Sequence, residues 1–191
     1  MGLLSGLFGQ KVPLRSPRDI LADAIADVGD PSLVPVALTL FDDPSQLIEQ
    51  WEGEQGEPPE WADPERPQSA AELAYQVFEH VLREDQRIGF LDWADGWMCV
   101  EREFNMMFRR LGAPPVDDTE RAHMERATEN CERGKTTQIL WNFMHDMGRR
   151  RGLQLDWIQS DGDCHFPMYI RREAYEKWRR ARFGKGVDVL P

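Results

Sequence analysis

Residues 153–170 read LQLDWIQSDGDCHFPMYI, and this stretch decides the fold class. Two apolar-rich runs, 153–159 and 164–170, flank Ser160-Asp161-Gly162-Asp163, a cluster of turn formers, so the stretch predicts a β-hairpin. Alternation places Leu153, Leu155 and Trp157 on one face of the first strand and Asp156 on the other. In the second strand it places Phe166, Met168 and Ile170 towards the core and leaves His165 and Tyr169 facing out. Leu-Asp-Trp recurs at 91–93 within IGFLDW (88–93), which predicts a third short strand with Asp92 on its outer face.

Around these strands the chain has helical periodicity. Ser16 caps a helix with Pro17 and Asp19 in its first turn, Ile20, Leu21, Ala24, Ile25 and Val28 on one face, and Gly29 as its stop. Asp30-Pro31 and Asp43-Pro44 predict two further starts. LVPVALTLF (33–41) between them is apolar nearly all round, as a helix buried on several sides would be. Ser69 and Glu72 form a capping box ahead of the stripe Leu73, Ala74, Val77, Phe78, Val81 and Leu82. Val100, Phe104, Met107 and Phe108 mark one later helix, and Leu140, Phe143, Met144 and Met147 mark another. Between them, 119–132 carries only a thin stripe around Met124, which suits a surface helix. A last helix is expected from about 172 to 182. Three strands with six or seven helices make a mostly helical α+β fold with a small antiparallel sheet, in a single domain over 1–191. Residues 1–15 read as a flexible arm, and 53–68, proline-rich and acidic, as an exposed loop.

The 191 residues carry 23 Lys plus Arg against 34 Asp plus Glu, a net charge of −11, and are 41% hydrophobic. A chain of this length buries a sufficient core without disulfides or a structural metal. Cys99, Cys131 and Cys164 lie far apart and offer no close metal-ligand pair, so no metal and no cofactor is expected. No apolar run approaches the roughly 20 residues that cross a bilayer, and MGLLSGLFGQK lacks the basic start and cleavage site of a signal peptide. A cytoplasmic protein without a membrane partner is expected.

Charge is unevenly spread. Residues 1–95 hold 6 basic and 19 acidic side chains, and 96–191 hold 17 and 15. The densest part, 42–66, has nine acids against Arg66 alone. Such a surface repels nucleic-acid phosphates and attracts basic proteins. Trp51 and Trp61 stand within it, and an aromatic anchor ringed by carboxylates is the composition of an interface for a basic partner. Trp51, Glu54, Glu57, Glu60, Trp61 and Asp63 are therefore the candidate partner-binding residues, with packing of both rings onto the helices as the alternative. The basic terminal stretch, Arg171 to Lys185, is expected to pack through Ala174, Tyr175, Trp178 and Ala181 and to face acids of the first half.

The strand ending in Asp92-Trp93, the following helices, Gly152-Leu153 with Leu155, the Asp161-Gly162-Asp163 turn and the final strand together resemble an uncharacterised bacterial domain family met near toxin and immunity genes. The resemblance spans roughly residues 70–182. That family favours Lys after Asp-Trp, where this chain has Ala94. The resemblance implies the sheet and no activity.

Two function classes emerge. The first is a non-enzymatic acidic binding protein, an immunity protein that neutralises a basic toxin or another basic protein. The second is a small hydrolase using Asp92, Asp156 and His165. If the first two strands are neighbours, their outer carboxylates approach each other beside the histidine, as acid-base or metal-assisted hydrolysis requires. The same residues also suit a solvated sheet face. No nucleophile elbow or phosphate-binding glycine loop is present.

Overall fold

The computed structural model describes residues 15–59, 62, 68–92, 96–131, 135–158 and 164–190, the side chains of 54, 55, 137 and 138 aside. The arm at 1–14, most of 60–67 and the hairpin turn at 159–163 lie outside the described residues. Helix α1 (Pro17–Val28) starts where its sequence predicts, with Ser16 Oγ accepting from the Asp19 N–H, and stops at Gly29. Asp30 caps a 3-10 turn (Pro31–Leu33) that leads into α2 (Val34–Asp42). Only Ala37 and Leu40 of α2 are buried, and Val36 is 53% exposed. The expectation of a helix buried on several sides is corrected: α2 lies over α1 and α4 as an outer element.

Helix α3 (Ser45–Gln55) runs on through Gly53 and Glu54, so the stretch read as loop begins as a helical turn; Gly56, at φ 80°, ends it. Helix α4 (Ala70–Glu84) has both arms of its capping box, Ser69 and Glu72, and buries the expected stripe. Next come β1 (Leu91–Asp92), α5 (Trp97–Arg110), α6 (Asp118–Thr128), α7 (Lys135–Arg150), β2 (Leu153–Ile158) and β3 (Cys164–Arg171). β1 is shorter than IGFLDW suggests, although Ile88 forms an isolated bridge to Met168. Helix α8 (Arg172–Trp178) ends earlier than expected, and a small hairpin follows, β4 (Arg182–Gly184) with β5 (Val187–Asp188). Strands of two and three residues are too short for alternation to show, which is why 182–188 read as helix and tail.

The main sheet is antiparallel with order β1-β3-β2. Ile158, Met168 and Ile170 join a core with α1, α2, α4, α8 and the terminal hairpin. Leu91, Leu153, Leu155 and Tyr169 join a second core with α5, α6 and α7. Helices thus cover both faces of the sheet. Tyr169 was expected to face out; it pairs with Leu155, is 1% exposed, and donates its hydroxyl to the Met144 carbonyl at 2.8 Å. CHFPMYI is apolar on both faces, as strands covered twice are, so alternation alone cannot choose its inner side. At Gly148, α7 comes so close that a Cβ would lie 2.5 Å from the Tyr169 ring.

The basic end docks as expected in one respect. Lys177 and the Trp178 indole N–H both reach Asp27 of α1. The arginines pair locally instead, Arg179 with Glu176 and Arg182 with Asp188.

Candidate functional site

Leu47 and Trp51, one helical turn apart on α3, lie along a groove whose other wall is α4. Leu47 anchors the helix and is 5% exposed, whereas Trp51 remains 39% exposed. The α4 wall supplies Gln76, Glu79, His80, Arg83 and Glu84. Arg83 is tied to Glu79, and its guanidinium sits 4.7 Å from the Phe166 ring centre. Gln50 reaches Glu84 at 3.5 Å. Glu49 and Glu52 of α3 and Glu57 just beyond it are exposed. The result is a half-open indole in a groove that also holds Glu79 and Glu84, with the arginine of its lining already paired. Of the candidate partner-binding residues, the structure places Trp51 on this surface, and Glu57 is exposed just past the end of α3. Glu54 belongs to α3 by backbone only, and Glu60, Trp61 and Asp63 lie outside the described residues.

The hydrolase constellation does not assemble. β3 separates β1 from β2, so Asp92 and Asp156 are not on adjacent strands. Asp92 pairs with Cys164 and Asp156 with Met168, four residues further along β3. Two strand spacings across and four residues along put the two carboxylate-bearing positions on the order of 16 Å apart. Two-carboxylate glycosidase sites span about 5 to 9.5 Å. His165 pairs with Leu91 and shares its face, towards α7, with its ring 6.2 Å from that of Trp141. Asp156 shares the opposite face with Met168. The expectation that all three share one outer face is corrected: along β3, His165 alternates onto the face opposite Cys164 and Met168, and the connection through α5, α6 and α7 puts β2 on the far side of β3 from β1. Among the described residues no group of three or more His, Cys, Asp or Glu could hold a metal.

Asp156 has a different role. Burial pushes its carboxyl up to about 6, opposed by the Trp157 N–H that it accepts at 3.0 Å. Its charge, after burial and Glu79, also helps to hold the Tyr75 hydroxyl up at about 12. The Arg172 N–H bonds the Gly152 carbonyl, which makes 152, 154, 156 and 158 the residues that bond β3. The backbone groups of Leu153, Leu155 and Trp157 therefore face the open edge of β2. Two of these edge groups are covered locally: the Trp157 N–H by Asp156, and the Leu155 carbonyl by the Gln154 amide at 3.0 Å. Trp157, expected in the core, is 41% exposed and stands edge-on to Trp141 at 4.7 Å.

No family model matches the chain, and no curated protein or solved structure does. Among the described residues no helix is long and apolar enough to cross a membrane.

Proposed function

We propose that this chain is a non-enzymatic binding protein whose α3–α4 surface receives a basic protein, in the manner of a cytoplasmic immunity protein that neutralises a toxin. The half-open Trp51, in a groove with Glu79 and Glu84 and on a helix that also exposes Glu49 and Glu52, carries this reading. An indole that is part seated and part exposed offers a partner's Lys or Arg a cation-π face and a patch to desolvate, and the surrounding carboxylates speed encounter.

The test is surface interferometry at low and high salt against an arginine- and lysine-rich protein, with any basic product of a neighbouring gene as the first choice of probe. The triple charge reversal Glu49→Lys, Glu52→Lys and Glu57→Lys should slow association at low salt about tenfold or more, with a small effect at high salt. Trp51→Ala should act instead on dissociation, speeding it about 30-fold for a loss of about 2 kcal/mol. A triple variant that associates as fast as wild type at low salt ends the proposal.

A further inference from the structure

A second cleft, of about 480 Å³, opens where the C-terminal ends of α4 and α5 meet the 3-10 turn. Three arginines line it: Arg87, Arg109 and Arg110. Arg87 is the buried one, 7% exposed, and its position is fixed by the backbone. Helix α4 ends with Gln86 in the left-handed region at φ 58°, and the Arg87 N–H returns to the Leu82 carbonyl at 2.9 Å. That closure usually presents an apolar residue where Arg87 stands.

The Arg87 guanidinium carries five N–H donors. Its Nε–H donates to Asp85 at 2.7 Å, and the Nη groups donate to no described residue. Asp30 lies near enough for Arg87 to help lower its titration, after the bonds from Ser32 that dominate, and its Oδ1 accepts the Ser32 N–H at 2.8 Å. Arg110 stands 3.6 Å from Asp85. Arg109 is exposed and has no ion pair among the described residues. A buried guanidinium with unmet donors is costly unless something accepts from them. Its planar fork matches an oxyanion held by two parallel bonds.

We propose that this cleft is an oxyanion-binding site, in which the Nη groups of Arg87 and the guanidinium of Arg109 hold a phosphate or carboxylate group. The site shares no lining residue with the α3–α4 groove, although the end of α4 leads from one to the other, and it does not rest on the function proposed above. Arg87 supplies the fixed, desolvated contact, Arg109 the movable one, and Asp85 keeps Arg87 in orientation.

Calorimetric titration of the full chain with inorganic phosphate, sodium acetate and sodium chloride at matched ionic strength tests the proposal. Saturable binding of phosphate, acetate or both, absent with chloride, is the expected result. Phosphate alone identifies a phosphorylated ligand, and acetate alone a carboxylate such as a peptide's. Arg109→Ala, whose exposed side chain is not needed for folding, should weaken that binding about tenfold, and Arg87→Gln should abolish it. Equal responses to all three salts, or an Arg109→Ala variant that binds as tightly as wild type, would overturn the proposal.

Discussion

The two cores on either side of the sheet are built from different materials. The one beneath α1, α2 and α4 is mainly aliphatic, with Leu21, Ile25, Val77 and Leu82 packed against Phe78. It is closed by residues from the far end of the chain, Trp178, Phe183, Val189 and Leu190. The one beneath α5, α6 and α7 sets four methionines, Met107, Met124, Met144 and Met147, and three rings, Phe104, Phe108 and Tyr169, among its leucines and valines. Its rings pack tilted or edge-on, Phe108 at 4.8 Å and Phe104 at 5.6 Å from Tyr169. An ionic latch seals it: Glu120 accepts from Arg151 at 2.7 Å and from Arg150 at 2.8 Å, while Arg151 lies 4.5 Å from the Phe108 ring centre. Arg151 also donates to the carbonyls of Pro114 and Pro115. One side of the sheet is thus held by apolar contacts distant in sequence, and the other by adaptable side chains under a buried charge pair.

The largest expected effect lies on the first side. Phe183 is 1% exposed and stands edge-on to Phe78 at 5.9 Å, so Phe183→Ala should cost about 3 to 5 kcal/mol in urea denaturation. A smaller loss than that from Glu120→Gln would break the comparison.

On the second side, Glu120→Gln leaves Arg151, with its side chain 7% exposed, without its carboxylate and should cost about 3 kcal/mol. Burial alone would raise the Glu120 carboxyl, but the bonds and charge of Arg151, with help from Asp117 and Arg150, hold it at about 2. Its stabilisation is therefore complete above the ordinary value of 4.5 and disappears as pH falls towards 2. Acid titration of stability should show a wild-type loss in this window that the variant lacks.

The smallest effect is on Asp156, at the sheet between the two cores. Its folded carboxyl titrates at about 6 against an ordinary 3.8, so the folded state binds the proton more tightly and stability falls as pH rises from about 4 to 6. Asp156→Asn should raise stability by about 1 kcal/mol at pH 7, after solvent screening, and by nothing below pH 4. A variant no more stable than wild type at pH 7 would show that the Trp157 N–H offsets the burial in full.

Helix boundaries were legible because caps are local: Ser16, Ser69 with Glu72, and Gly29 each act within one turn. The hairpin was legible for the same reason. Strand order was not, since the adjacency of β1 to β3 depends on how α5, α6 and α7 carry the chain across the sheet. Neither was the inner face of β3, where Tyr169 and Met168 are both apolar enough for either side. For the candidate surface, the sequence pointed to Trp51 and its acids by composition alone. It did not point to α4 as the opposite wall, or to Arg87, whose burial follows from the left-handed Gln86; the only local signal was a charged residue where the helix stop prefers an apolar one.

The late arrival of Phe183, Val189 and Leu190 in the first core has a consequence for the chain during its synthesis. Phe78 and Leu82 leave the ribosome roughly 100 residues, and Leu21 and Ile25 roughly 160 residues, before the segment that covers them. At about 5 to 20 residues per second, their apolar surface waits for about 5 to 30 s. The second core lies almost wholly within 91–171 and can close while the first still lacks its lid. The nascent chain should therefore bind hydrophobic-segment chaperones through its first 88 residues, and release should follow emergence of the terminal hairpin.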